Sequence, residues 1–116
     1  MANANLRELE RLEPREAFTI WRRRNELTQA EAARQFGVSM RRMVGWENGS
    51  RDDGLPDLRK KILPLANYEV CFLYRRRAKM LVSELARELR VTPYWVTQLE
   101  RGRATGIDAL LEFWEC

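Results

Sequence analysis

The sequence contains no histidine. The most frequent general base and the most frequent metal ligand are therefore both missing. It also has no glycine-rich phosphate loop and no carboxylate cluster set around a nucleophile. Ser39 and Ser83 lie where a helix cap or a first helical turn needs them, which accounts for both hydroxyls without catalysis. These absences argue against an enzyme. Cysteine is scarce: Cys71 and Cys116 stand 45 residues apart with no metal-ligand partners beside them. Cys71 lies in an apolar run and is expected to be a buried thiol, and Cys116 to be free. Both suit a reducing cytoplasm. No apolar run is long enough to span a membrane, and the N-terminus has no signal-peptide core. The expectation is a cytoplasmic protein with no metal, no cofactor and no small-molecule ligand.

Charge of one sign is also modest. The 116 residues carry 21 basic and 17 acidic side chains, a net +4. The halves are alike, with 10 basic and 9 acidic residues up to position 53 and 11 and 8 after it. There is no acidic or basic tail. The sign favours a polyanionic partner, but the size does not by itself identify one. The length fits one small domain or two minimal ones. A lone unit of about 50 residues is marginal, so two sub-domains sharing a core are expected.

What is present is concentrated in residues 27–49, LTQAEAARQFGVSMRRMVGWENG. Thr28 can cap a helix, with Glu31 three residues on as its capping-box partner. Ala30, Ala33 and Phe36 supply an apolar stripe at helical spacing. Gly37 can take the left-handed conformation that a sharp turn needs. Ser39 caps the next helix, on which Met43 and Trp46 share a face, and Asn48-Gly49 ends it. Two short helices joined by a tight turn are a helix-turn-helix, the arrangement that places a helix in a DNA major groove.

These residues resemble the Cro/repressor (Xre-type) family of lambdoid phage and bacterial regulators. The matching features are Leu27-Thr28-Gln29, Glu31, Ala33, Gly37-Val38-Ser39 and Trp46-Glu47-Asn48-Gly49. The resemblance implies an all-α, lambda-repressor-like fold. It also implies that Arg22, on a first helix over 15–26 with Ala17, Ile20 and Trp21 inward, pairs with Glu47 as a structural ion pair. Arg23 and Arg24 then face solvent or phosphate, because three consecutive arginines point in different directions on a helix.

A second copy follows, offset by 53 residues. Arg22-Arg23-Arg24 fall on Arg75-Arg76-Arg77 without a gap. Glu31, Ala33, Arg34 and Val38 fall on Glu84, Ala86, Arg87 and Val91. Glu47 falls on Glu100 and Gly49 on Gly102, and the apolar sites Met43 and Trp46 fall on Val96 and Leu99. The second copy resembles the same family over residues 91–102, VTPYWVTQLERG, and the two resemblances together run from about residue 15 to 103. By the same match Arg75 and Glu100 form the second ion pair. Three segments remain. Residues 1–14 carry Leu6, Leu9 and Leu12 and form either a short packed helix or an arm. Pro56 is expected to open a short helix ending near Pro64, followed by a helix over 65–79. Residues 105–116 form a helix with Ile107, Leu110, Leu111 and Trp114 on one face, closing the second core or meeting another subunit. The domain boundaries are thus 1–14, 15–64 and 65–116, with two tandem helix-turn-helix units in one compact chain.

In such a motif the first residues of the second helix meet base edges. The recognition helices are 39–48 and 92–101. In the first copy the base-reading candidates are Met40, Arg41, Val44 and Gly45. Arg41 is suited to guanine O6 and N7, and Met40 and Val44 to thymine methyls. Gly45 lacks a side chain where the family often places a polar reader. Arg42, Asn48 and Arg23 are phosphate candidates, and the resemblance implies that Gln29 holds a backbone phosphate. In the second copy Tyr94, Thr97 and Gln98 are the base-reading candidates, with Gln98 suited to adenine. Trp95, Arg101 and Arg103 are the phosphate candidates there, and Val82 stands at the position of Gln29.

The expected function is a sequence-specific double-stranded DNA-binding regulator, a repressor occupying an operator. The family usually binds as homodimers, which the resemblance carries over here. Two other functions fit the same residues. One is a protein-interaction module, such as a phage inhibitor of a host factor. The other is an RNA-binding regulator with Tyr94 and Trp95 stacked on unpaired bases.

Overall fold

Proline at the first helical position has no N–H to leave unpaired, and two of the helices begin that way. In a computed structural model that describes residues 11–114, Pro14 opens α1 (Pro14–Arg24) and Pro93 opens α7 (Pro93–Glu100). The remaining helices are α2 (Gln29–Phe36), α3 (Met40–Asn48), α4 (Arg59–Ile62), α5 (Asn67–Arg77), α6 (Val82–Leu89) and α8 (Ile107–Phe113). The protein is all-α among the described residues. Leu6, Leu9 and Cys116 lie outside them. Leu12 is buried, and its carbonyl accepts a hydrogen bond from Arg59 Nη1 at 3.5 Å.

The chain divides into two units at Pro64–Leu65. In the first, α1 packs on α3 and α4, and α2 packs on α3. Phe18, Ala32, Ala33, Met43, Trp46 and Leu58 form its apolar cluster. Phe18 lies at the centre of an aromatic group, its ring 5.3 Å from Phe36, 5.5 Å from Trp46 and 6.0 Å from Trp21. In the second unit α5 packs on α7 and α8, and α6 packs on α7. Its cluster contains Val70, Cys71, Leu85, Ala86, Val96, Leu99, Leu110 and Leu111. Each unit therefore has an apolar cluster of its own. The terminal helix fills the second of them, with Tyr74 stacked 6.0 Å from Trp114. Cys71 is a buried thiol.

The 53-residue repeat is a repeat of local structure. Helices α1 and α2 match α5 and α6 residue for residue at this offset, and α3 and α7 start in register, α7 ending one residue earlier. Ser39 Oγ accepts from Arg42 N and Thr92 Oγ1 from Trp95 N, so both third helices are capped alike. Thr28 N donates to Glu31 and Leu81 N to Glu84, at 2.8 Å each. Both second helices end in a left-handed residue. That residue is Gly37 (φ 67°) in the first unit and Arg90 (φ 58°) in the second. In each, the next N–H reaches back to the helix, Val38 N to Ala33 O and Val91 N to Ala86 O.

Arg90 adopts this conformation at a cost glycine does not bear, because its Cβ crowds the following carbonyl. Arg90→Gly is expected to stabilise the second unit by about 1 kcal/mol, the Cβ strain exceeding the added freedom of the unfolded glycine. Urea denaturation checks this, and a lower midpoint would contradict it.

One helix is shorter than its sequence suggests. Pro56 lies outside α4, which begins only at Arg59. Leu55 and Leu58 pack into the first cluster instead, and Asp57 Oδ1 accepts from Arg59 N at 3.1 Å. Packing of the two leucines, Leu58 buried and Leu55 half-buried, and this local bond hold residues 55–58 out of the helix. The following helix, α5 in the second unit, likewise begins at Asn67 rather than at 65.

Candidate nucleic-acid interface

Helix α3 has two faces because its apolar residues recur at helical spacing. Met43, Trp46 and Glu47 are buried. Met40 (45% exposed), Val44 (37%), Arg41 and Asn48 point outward. Four of the first-copy candidates meet here: Met40, Arg41, Val44 and Gly45 line one open concavity with Asn48, Ser50 and Arg51. Arg41 is exposed and has no hydrogen-bond or ion-pair partner among the described residues.

The helix is oriented by the buried ion pair behind it. Arg22 Nε donates to Glu47 Oε2 at 2.6 Å and Nη2 to Oε1 at 3.0 Å. Arg22 Nη1 also donates to Leu27 O at 2.9 Å, which ties the start of α2 to the same group. The second unit repeats this: Arg75 Nε donates to Glu100 Oε2 at 2.8 Å and Nη1 to Met80 O at 2.8 Å. Gln29 joins the first pair, its Nε2 donating to Glu47 Oε1 at 3.0 Å. An amide carries two N–H donors, so this bond uses only one of them.

Three candidates occupy places that differ from their sequence reading. Gly45 borders the concavity but is itself buried, because the side chain of Arg51 covers it. Arg42 is turned onto its own loop. Its Nε and Nη2 donate to Asp53 O at 3.2 and 2.8 Å, and its guanidinium lies 5.7 Å over the Trp46 ring. Two donors are thus spent on fixing the loop rather than on phosphate. Trp95 packs against the second apolar cluster, its indole edge resting on Gly106 where a Cβ would stand 3.1 Å away. A flat apolar side chain beside a glycine gains more from that contact than from water.

The other candidates are placed simply. Asn48 Oδ1 accepts from Ser50 N at 2.8 Å. Arg23 is half-buried with an interaction of its own, and Arg101 and Arg103 are exposed, Arg103 with a partner. Thr97 and Gln98 are half-buried, and Tyr94 is 72% exposed. Leu81, at the position of Thr28, is 65% exposed. The outward surface of the second unit is accordingly more apolar at the positions where the first carries Thr28 and Arg41.

Arg51 and Asp53 are the residues that sequence reasoning passed over. Asp53 accepts from Arg51 Nε and Nη2 at 3.1 Å each, and its Oδ2 lies 3.3 Å from Arg42 Nη2. Its carbonyl also accepts from Trp46 Nε1 at 2.9 Å. The Arg51 hydrogen bonds, aided by the charges of Arg51 and Arg42, hold the Asp53 carboxyl below its ordinary pKa, so it is ionised at neutral pH. The available signal was the polar, turn-rich stretch after Gly49, SRDDGLPD.

Among the described residues no group of histidine, cysteine, aspartate and glutamate is arranged to hold a metal ion, and no helix is long and apolar enough to cross a membrane. No family model, curated protein or solved structure matches this chain.

Proposed function

We propose that the protein is a sequence-specific double-stranded DNA-binding regulator, a repressor that occupies an operator, with α3 as its principal reading helix. The observation that carries the proposal is the division of α3: its buried face is tied to the core by Met43, Trp46 and Glu47, and its outward face offers Met40, Arg41 and Val44. A helix held rigidly from behind can present a fixed set of side chains to base edges. Arg41 supplies a forked donor for guanine, and Met40 and Val44 supply apolar contacts for thymine methyls. Gln29 and Arg101 serve as backbone contacts. The protein acts in the cytoplasm as a homodimer and catalyses no reaction.

A second reading is favoured by Leu81 and Tyr94, whose exposure gives the second unit a surface suited to a protein partner. In that reading the chain is an interaction module, such as an inhibitor of a host factor. Tyr94 would also suit stacking on an unpaired RNA base.

The test is enrichment of genomic DNA fragments on the purified protein, followed by a salt-titrated gel shift. One enriched sequence, bound less tightly as salt rises, is the expected result. Arg41→Ala is expected to cost about 1–3 kcal/mol of discrimination at one base position. Gln98→Ala alters a second position only where α7 also reads bases. Absence of any enriched duplex, with capture of a protein or an RNA instead, overturns the proposal.

A further inference from the structure

Gly45 and Gln98 hold the same position in the two repeats, and so do Arg51 and Ala104. Where the second unit carries a polar side chain on its helix, its loop carries a methyl group. Where the first unit has no side chain on its helix, its loop carries an arginine. The exchange is spatial as well as sequential. Arg51 Cγ and Cδ lie 2.8 and 2.9 Å from the place a Cβ on Gly45 would take, so the arginine stem fills the volume of the missing side chain. Gly45 O accepts from both Gly49 N and Arg51 N at 3.1 Å, which fixes the backbone from which that stem starts.

The guanidinium is oriented as well. Two of its N–H groups, on Nε and Nη2, are taken by the two oxygens of Asp53. A guanidinium has five N–H donors, so its far edge keeps both hydrogens on Nη1 and one on Nη2. The side chain is 43% exposed and lines the same concavity as Met40, Arg41 and Val44. A surface pair of this kind contributes little to stability, so stability alone does not explain the arrangement.

On the DNA-binding reading above, we propose that Arg51 is a base reader supplied by the loop in place of the side chain that Gly45 lacks, with Asp53 holding its fork towards guanine O6 and N7. Guanine is the base whose major-groove edge offers two acceptors to such a fork. Asp53 is a positioning residue that acts through Arg51. A contact from Arg51 to phosphate instead would add affinity without sequence preference, and the two outcomes separate experimentally.

The experiment is selection from a random duplex library by the full chain and by Arg51→Ala, Arg51→Lys, Asp53→Asn, Gly45→Ala and Arg41→Ala, each checked by thermal melting. The wild type is expected to prefer guanine at one position that Arg51→Ala no longer distinguishes, a loss of roughly 5- to 150-fold there. Arg51→Lys keeps the charge and the salt dependence but loses the same preference, because an ammonium has no fork. It also retains a stem over Gly45 and so decides the matter even if Arg51→Ala does not fold. Asp53→Asn and Gly45→Ala weaken that position alone, and Arg41→Ala weakens a different one. The inference is overturned if Arg51→Lys and Arg51→Ala retain every preference. It is equally overturned if Arg51→Ala loses affinity evenly across sequences, with the salt slope reduced by about one. A wild type that selects no sequence fails the DNA-binding reading itself, whereas selection by the wild type with intact preference in the Arg51 variants fails only the role of Arg51.

Discussion

Glu47→Ala is expected to destabilise the first unit by about 3–5 kcal/mol. Glu47 is 3% exposed and accepts hydrogen bonds from Arg22 Nε, Arg22 Nη2 and Gln29 Nε2. The Arg22 side chain is only 17% exposed, so removing the carboxylate strands a guanidinium that water reaches poorly. Most of the cost is therefore the unpaired charge, rather than the worth of the pair against an apolar alternative. The double replacement Arg22→Met with Glu47→Leu should accordingly recover much of the loss, and a double-mutant cycle in urea measures the difference. On the proposed DNA-binding function, base preference of the molecules that remain folded should be unchanged, because neither residue lies on the outward face of α3. A Glu47→Gln protein that melts normally yet selects a different DNA sequence would refute the structural assignment.

Trp46→Ala should cost a comparable 3–5 kcal/mol, for a different reason. The indole is 2% exposed, with Phe18 at 5.5 Å and Phe36 at 6.4 Å, so truncation opens a cavity in the middle of the aromatic group. Its Nε1–H also holds Asp53 O, and the guanidinium of Arg42 lies over its ring. Trp46→Phe keeps most of the apolar contact and loses the bond to the loop, a change of about 1 kcal/mol beyond the difference in volume. Chemical denaturation of the two variants gives the ordering directly. Similar losses in both would mean that the loop bond, not the packed ring, dominates. Trp46→Phe should also loosen the carbonyl of Asp53 and so report, in a DNA selection, on how firmly the loop must be held.

Much of the local structure was legible because it depends on neighbours in the chain. The capping box at Thr28 and Glu31, the cap at Ser39 and the left-handed turn at Gly37 each involve residues within a few positions of one another. The 53-residue repeat carried the helix pattern into the second unit, and the structure shows that Arg90, at the position of Gly37, takes the left-handed turn there. The inward face of α3 was legible from the spacing of Met43 and Trp46. The partner of Arg22 was implied by family resemblance rather than by spacing, and the pair lies 25 residues apart in each unit.

Other features depended on contacts that no local pattern encodes. The stripe on residues 107–114 left two destinations open, its own core or another subunit, and packing of Leu110 and Leu111 with α5 chose the first. Trp95 and Tyr94 are adjacent aromatics of similar character in the sequence. One rests on Gly106 and the other reaches solvent, because successive residues of a helix point about 100° apart and only one direction meets the core. Arg42 reads as a phosphate candidate and Arg51 carries no reading in the sequence, yet Asp53 draws the two together.

The caps at Thr28 and Ser39, the turn between α2 and α3 and the doubling of the pattern follow from the residues in order, since they rest on propensity and short-range hydrogen bonds. Only the tertiary structure decided which charged side chains stay available at the outward face. Arg41 and Arg42 are neighbours of identical chemistry, but one is pinned to a loop carbonyl and a tryptophan while the other is exposed. That choice rests on where the loop after Gly49 folds back, and the loop is positioned by Trp46 from within the core.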